Sequence, residues 1–137
     1  MVRLLPALVL VLGLAVTATA SAKELEATVK FKVKKLEGQK GKDKVVFKLS
    51  LPDEVYKALR GAKGRVKVNF YRGKTAEDSK QFKSVKWALR KATHKWPTFS
   101  VKELCRKGYQ HVRVKIKAKA KGVEYDAIQK SLDLGCG

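Results

Sequence analysis

The stretch HVRVKIKAKA at residues 111–120 decides the fold of this chain. Its even-numbered positions are apolar, whereas its odd-numbered positions are basic from Arg113 to Lys119. A period of two residues places successive side chains on opposite faces of a strand, so one face is buried and the other meets solvent. The sequence therefore predicts a long, half-buried β-strand at this point.

The same alternation recurs on both sides of this strand. Strands are predicted at residues 25–33, 45–51, 66–73, 96–101 and 128–136, separated by glycine-containing turns. Residues 85–89 also alternate, although Asp78 and Gln81 could instead cap a helix over the same stretch. The β-rich surroundings favour a strand there. Pro97 stands near the start of its strand, which is typical of the edge of a sheet.

One short helix is predicted between the second and third strands. Pro52 is followed by Asp53 and Glu54, and Gly61 ends the segment. Proline and acidic residues favour the first helical turn, and glycine favours the position after the last. Seven strands with one short helix indicate an all-β fold, a two-sheet Greek-key sandwich. We expect residues 23–137 to form a single domain.

Two segments carry a resemblance to immunoglobulin-like and fibronectin type III sandwiches. LCRKGY at residues 104–109 leads into the long strand and resembles a tyrosine corner, which implies that the Tyr109 phenol bonds to upstream backbone. LPDEVYKALRGAKGRVKVNF at residues 51–70 resembles the lysine-rich connecting turn and strand of Ig-like domains in secreted bacterial surface proteins. The resemblance implies an Ig-like sandwich and carries no functional residues.

The first 22 residues have the layout of a secretory signal peptide. Arg3 supplies the positive start, residues 4–16 are mostly apolar, and residues 17–22 are small or polar. The apolar run is shorter than the roughly 20 residues that a membrane-spanning helix needs. We therefore expect cleavage after Ala22, or alternatively after Ala20, and a secreted, extracellular product; in a bacterium it would be periplasmic or attached to the cell surface.

Two cysteines, Cys105 and Cys136, are the only thiols of the chain. In an oxidising compartment they most simply form one disulfide. A metal site or a catalytic cysteine is the alternative, but two isolated sulfurs lack the paired spacing of zinc sites.

Residues for catalysis are scarce in this sequence. His94 and His111 have no His, Cys or acidic neighbour at a metal-ligand spacing, and neither a nucleophile elbow nor a phosphate-binding glycine loop is present. The sequence therefore predicts a non-enzyme with no metal site and no cofactor.

The charge is the remaining functional signal. The chain carries a net charge of +20, and its 32 basic residues are 25 lysines and seven arginines. Lysine is a hydrated point charge, whereas arginine offers a planar fork for bidentate recognition, so anion binding should be diffuse. One face of the long strand presents four candidate anion-binding residues: Arg113, Lys115, Lys117 and Lys119.

Two interpretations of this ladder stay open. It could follow an anionic polymer or an anionic membrane or cell surface, or it could only solvate the outer face and prevent edge-to-edge aggregation. Lys30, Lys32 and Lys34 repeat the pattern on the first strand, which favours solvation. The leading hypothesis is a secreted, non-catalytic binding or adhesion module. A small lipid or amphiphile carrier and a purely structural protein-interaction module are the alternatives.

The predicted signal peptide can be tested by secretion. When the full chain is expressed in a secreting host, the released protein should begin at Lys23, because Ala20 and Ala22 provide the small residues that signal peptidase requires. N-terminal sequencing and intact mass would measure this. A released protein that retains residues 4–16 would contradict it.

Overall fold

The computed structural model of the protein describes residues 23–35 and 42–136. The predicted signal peptide lies outside these residues. The described part contains eight strands and two short helices. In chain order they are β1 (Thr28–Lys34), β2 (Lys44–Ser50), α1 (Asp53–Gly61), β3 (Arg65–Gly73), β4 (Ser79–Trp87), β5 (Thr98–Ser100), α2 (Val101–Arg106), β6 (His111–Ala120), β7 (Val123–Glu124) and β8 (Ile128–Asp133).

The strands form two antiparallel sheets. The smaller sheet has the order β1-β2-β5, and the larger has the order β4-β3-β6, with β7 and β8 both paired to the far side of β6. This confirms the all-β, two-sheet sandwich expected from the alternation. The two-residue strand β7 is an eighth strand beyond the seven predicted, because the turn at Gly122 folds back tightly enough to pair before β8 begins.

Strand β6 lies inside the larger sheet and has the bounds that the sequence predicts. It pairs with β3 over His111 to Lys119 and with β8 over His111 to Ile116. Its inward side chains are buried: Val112, Val114, Ile116 and Ala118. The apolar half of the pattern is therefore the centre of the core, and the basic half is confined to the outer face.

Aromatic rings fill the space between the two sheets. The Phe47 ring of β2 lies 5.2 Å from the Phe70 ring of β3 and 5.1 Å from Trp96, between ring centres. Phe99 of β5 lies 5.1 Å from Phe70 and 4.9 Å from Phe82 of β4. These edge-to-face contacts join both sheets into one core.

Helix α1 connects the sheets and packs against the same core. Tyr56 and Leu59, three residues apart, are its buried residues. The Tyr56 hydroxyl donates a hydrogen bond of 2.8 Å to the carbonyl of Leu89, which is itself fully buried with φ of 62°. The helix thus fixes the segment that follows β4.

Residues 79–87 form a strand, as the alternation favours, and the helical alternative is wrong; the strand stops before Leu89, which the alternation had included. Strand β4 runs antiparallel to β3 over Val66 to Gly73, with an irregularity in register between Phe70 and Tyr71. Pairing with β3 satisfies the backbone groups on one side of β4, which is the edge strand of the larger sheet.

Helix α2 is an addition to the predicted single helix. The strand expected over residues 96–101 ends at Ser100, whose hydroxyl accepts a hydrogen bond of 3.2 Å from the Glu103 N–H. Serine followed by glutamate three residues later is a helix-start pattern, and here it overrides the strand signal at Val101. As Pro97 suggested, β5 lies at the edge of its sheet.

The structure confirms the disulfide between Cys105 and Cys136. It joins α2 to the segment after β8 and closes a second apolar cluster that includes Leu104, Val112 and Leu134. The cysteines are 31 positions apart, and the chain-entropy model gives a loop of this size a stabilisation of about 3 to 4 kcal/mol.

No helix in the described part of the chain is long and apolar enough to cross a membrane.

Replacing Trp87 with alanine should destabilise the protein by about 3 to 5 kcal/mol. Its side chain is 2 % exposed, its indole N–H donates to the Lys91 carbonyl at 3.1 Å, and its ring stacks on Tyr56. Urea unfolding measures the loss, with the exposed Lys83→Ala on the same strand as control, for which the change should stay within about 0.5 kcal/mol. An unchanged midpoint for Trp87→Ala would contradict the packing.

Candidate anion-binding groove

The four candidate residues of β6 point away from the core but differ in exposure. Lys117 and Lys119 are exposed, whereas Arg113 and Lys115 are half-buried. Arg113 and Lys115 are flanked by β3 on one side and β8 on the other, whereas Lys117 and Lys119 lie beyond the end of the β8 pairing. The ladder therefore divides into two halves with different surroundings.

Around Lys117 the strand register brings three lysines into one row. Lys67 of β3 lies directly opposite Lys117 of β6 and, on its other side, opposite Lys86 of β4. Neighbouring strands are about 4.8 Å apart, so the row places three positive charges across roughly 10 Å of sheet. All three side chains are exposed.

A second row lies one level further along the sheet. Arg65 of β3 is opposite Lys119 of β6, and Glu124 of β7 is opposite Lys119 on the other side. Glu124 forms no ion pair there. Within residues 23–35 and 42–136, ion pairs join Lys57 to Asp53 and Arg106 to Glu103, and neither includes a residue of the two rows. With five cations and one carboxylate, the two rows keep a net positive charge.

These rows form the floor and walls of a surface groove of about 640 Å³. Two alanines, Ala62 and Ala120, complete its lining, and no carboxylate lines it. We call it the lysine groove, and its seven cations are Lys63, Arg65, Lys67, Lys86, Lys117, Lys119 and Lys121.

The turn after α1 builds one wall of the lysine groove. Lys63 has φ of 56°, and the Lys121 N–H donates to the Ala62 carbonyl at 3.2 Å, which joins this turn to the one after β6. Gly64 fits here because a Cβ atom would lie 2.7 Å from the Lys119 carbonyl oxygen. The close approach brings Lys63 and Lys121 to the same end of the sheet.

Arg113 is held by neutral partners away from the lysine groove. Its guanidinium carbon lies 4.3 Å from the centre of the Tyr71 ring, its Nε donates to the Ser79 hydroxyl at 3.2 Å and its Nη1 donates to the Gln129 side chain at 3.0 Å. These contacts tie β6 to the strands around it. Lys115, between Asn69 and Gln129 in the register, also lies outside the groove lining.

Sequence reasoning thus found two of the seven groove cations, Lys117 and Lys119. The sequence also shows basic residues at Arg65 and Lys67 of the third strand and at Lys86 of the fourth, but it does not show that they lie together. These cations come together because of which strands pair and in which register. The residue pattern of a single strand reveals neither its neighbours nor its register.

A second basic face lies on the outside of the smaller sheet. Lys30 is opposite Lys48, and Lys34 is opposite Lys44, in the β1–β2 register. A depression of about 270 Å³ on this face includes Lys32 and also the apolar side chains of Val46 and Phe47. It provides a comparison surface of the same charge sign but with fewer cations around one depression.

The two histidines have separate surroundings. His94 packs with its ring centre 4.7 Å from Trp96 and 6.2 Å from Trp87, while His111 begins β6 opposite Asp133. In the described ranges, no three His, Cys, Asp or Glu side chains gather in a way that could hold a metal ion.

Comparisons with protein-family models, with curated proteins and with solved structures find no match to this chain. Its function has to be argued from the chemistry of its own surfaces.

Neutralising the middle of the lysine row should stabilise the free protein. Like charges directly opposite on paired strands repel, so Lys67→Gln should raise the free energy of unfolding by about 0.5 kcal/mol at low salt, and less at high salt. Lys130→Gln is the control, since the register places Val114 rather than a cation opposite it. Equal effects of the two substitutions would contradict the role of the row.

Proposed function

We propose that this protein is a secreted, non-catalytic binding module that contacts anionic polymers or anionic surfaces through the lysine groove. The observation that carries the proposal is the lining: seven cations surround one depression, and no carboxylate is among its lining residues. An opposite charge from outside the molecule would relieve the repulsion that the strand register imposes.

The chemistry of the groove favours charge density over detailed recognition. Six of its seven cations are lysines, and no aromatic side chain lines it. Lysine lacks the bidentate fork of arginine, and without aromatic rings the groove has no platform on which bases could stack. Affinity should therefore rise with the charge density of the polymer and fall as the salt concentration rises.

Secretion fits the cysteine chemistry. The Cys105–Cys136 bridge is typical of proteins that mature in an oxidising compartment, and the sequence predicts a signal peptide before residue 23. A released protein meets acidic polymers at cell surfaces and in the extracellular matrix, where a positively charged groove has partners to bind.

The carrier alternative has little support. A lipid between the sheets would need space that Phe47, Phe70 and Phe99 fill with ring-to-ring contacts. The lysine groove is on the surface, and seven of its nine lining residues are cations. A binding surface outside the sandwich is the better interpretation.

The arrangement of strands supports the resemblance to Ig-like and fibronectin type III domains. The sheet β1-β2-β5 and the sheet formed by β4, β3, β6 and β8 are antiparallel and joined by short connections, as in such sandwiches. Tyr109 departs from a tyrosine corner, since among the described residues its phenol forms no hydrogen bond to upstream backbone, while its ring lies 4.5 Å from the Arg72 guanidinium carbon. We propose the module as an adhesion or binding domain of this general architecture.

A matched pair of triple variants tests the groove. The first variant changes three groove residues to glutamine: Lys67, Lys117 and Lys119. It should lower the slope of log affinity against log salt concentration by about three units, at about one unit per lost contact. The second variant removes the same charge from the smaller sheet by changing three residues to glutamine: Lys30, Lys32 and Lys34. It should lower the same slope by less than about one unit. Fluorescence anisotropy with polyphosphate, a sulfated glycan and a single-stranded oligonucleotide would measure both.

Equal, small effects from the two triple variants would leave only non-specific basicity and would contradict a localised groove. No detectable binding of any of the three polymers near physiological salt would remove the polyanion function altogether. Strong preference for the oligonucleotide over the other polymers at equal charge density would contradict a site that reads charge alone.

A further inference from the structure

Arg72 lies at the end of β3 that is farther from the lysine groove. The guanidinium carbon of Arg72 lies 4.6 Å from the Phe82 ring centre and 4.5 Å from the Tyr109 ring centre. Arg72 has the parity of the core residue Phe70, but it stands at the end of the sheet, where the interior opens to solvent. Seven residues separate it from Arg65, or about 23 Å of strand.

The two arginines that stack on rings in the described part of the chain differ in the hydrogen bonds that their N–H groups form. Arg113 donates to Ser79 and Gln129, so its stack is a structural tie between strands. Arg72 has no hydrogen-bond or ion-pair partner among residues 23–35 and 42–136, although two rings hold its guanidinium in place. Its fork of N–H donors is therefore oriented and available.

Hydrogen bonds in the backbone hold the walls around Arg72 in place. The Gln110 N–H donates to the Gly73 carbonyl and the Tyr109 N–H donates to the Leu104 carbonyl, each at 3.0 Å. A Cβ atom at Gly73 would lie 2.2 Å from the Asp78 carbonyl oxygen, so only glycine permits the β3–β4 turn to close this tightly. Arg72 and the backbone around it are held in place before any ligand arrives, which lowers the entropy cost of binding at this residue.

The charge of this site sets the charge of its ligand. A depression of about 380 Å³ is lined by three cations, Arg72, Lys74 and Lys80, and by one carboxylate, Asp78. Their sum is +2, so a doubly charged anion would neutralise the lining. A phosphate monoester carries a charge of about −1.5 to −2 at pH 7 and offers three acceptor oxygens for a guanidinium fork and two ammonium groups.

We propose that the pocket of Arg72, Lys74 and Lys80 binds a doubly charged tetrahedral oxyanion, either free phosphate or a phosphate monoester group. It is independent of the lysine groove, because it lies at the other end of the larger sheet and uses an arginine fork instead of a row of lysines. The protein then has one surface that reads charge density and one pocket that reads a single anionic group.

NMR titration of the purified protein with inorganic phosphate at constant ionic strength tests the pocket. The Arg72 Nε–Hε signal and the Gly73 amide should shift to saturation with an apparent dissociation constant of about 1 mM, as for one exposed oxyanion held by a few charge-assisted hydrogen bonds. Glycerol phosphate, a monoester, should bind equally well if the pocket accepts an ester. Clearly weaker binding of glycerol phosphate assigns the pocket to free phosphate.

Arg72→Lys and Arg113→Lys form a matched pair that preserves net charge. Arg72→Lys should weaken phosphate binding about tenfold, because it loses the bidentate fork, whereas Arg113→Lys should change it less than about twofold. The double variant Lys74→Gln, Lys80→Gln should also weaken phosphate binding. Both positions are exposed, so this variant tests the pocket even if Arg72→Lys fails to fold. Changes to the groove residues Lys67 and Lys117 should leave phosphate binding unaltered.

Three results would overturn the proposal. The first is the absence of a saturable shift at Arg72, and the second is an equal loss in Arg72→Lys and Arg113→Lys. The third is equally tight binding of dimethyl phosphate, a singly charged diester, which would show that the pocket does not select a double charge. Failure here leaves the polymer experiment on the groove unaffected, so the two proposals can fail separately.

Discussion

The pairing of β6 with strands on both of its sides is the contact on which the rest of the structure depends. β3 on one flank and β8 on the other satisfy its backbone groups, and its alternate side chains then have to divide between core and outer face. Val114 and Ile116 are fully buried as a result. The same division brings the basic half of the strand onto one outer surface.

This arrangement couples stability to charge. A central strand with four cations on one face would be tolerable if its neighbours were neutral or acidic, but Lys67 and Arg65 stand opposite Lys117 and Lys119. The apolar core and the disulfide outweigh the repulsion, since cross-strand pairs contribute about 0.2 to 1 kcal/mol each and burying a single large side chain contributes more. A surface of this kind lowers the stability of the free protein, and the proposed binding of an anion would offset that cost.

The two ends of the larger sheet differ in kind. At one end, lysines surround an open groove, and their long, flexible side chains can follow a polymer without fixed geometry. At the other, Phe82 and Tyr109 hold Arg72 in one orientation, and hydrogen-bonded turns fix the walls. In the two proposed sites, lysines would attract an anion and Arg72 would orient it, as their hydration and shape lead one to expect.

The sequence by itself determined the β class, the bounds of β6 and the disulfide, because a period of two residues is a local property and two cysteines allow a single pairing. It missed α2, where the capping pattern at Ser100 outweighs the strand signal. Only the tertiary structure decided the candidate sites. Lys67 meets Lys117, and Arg72 meets Tyr109, through strand neighbours and register, which depend on contacts between residues distant in the chain.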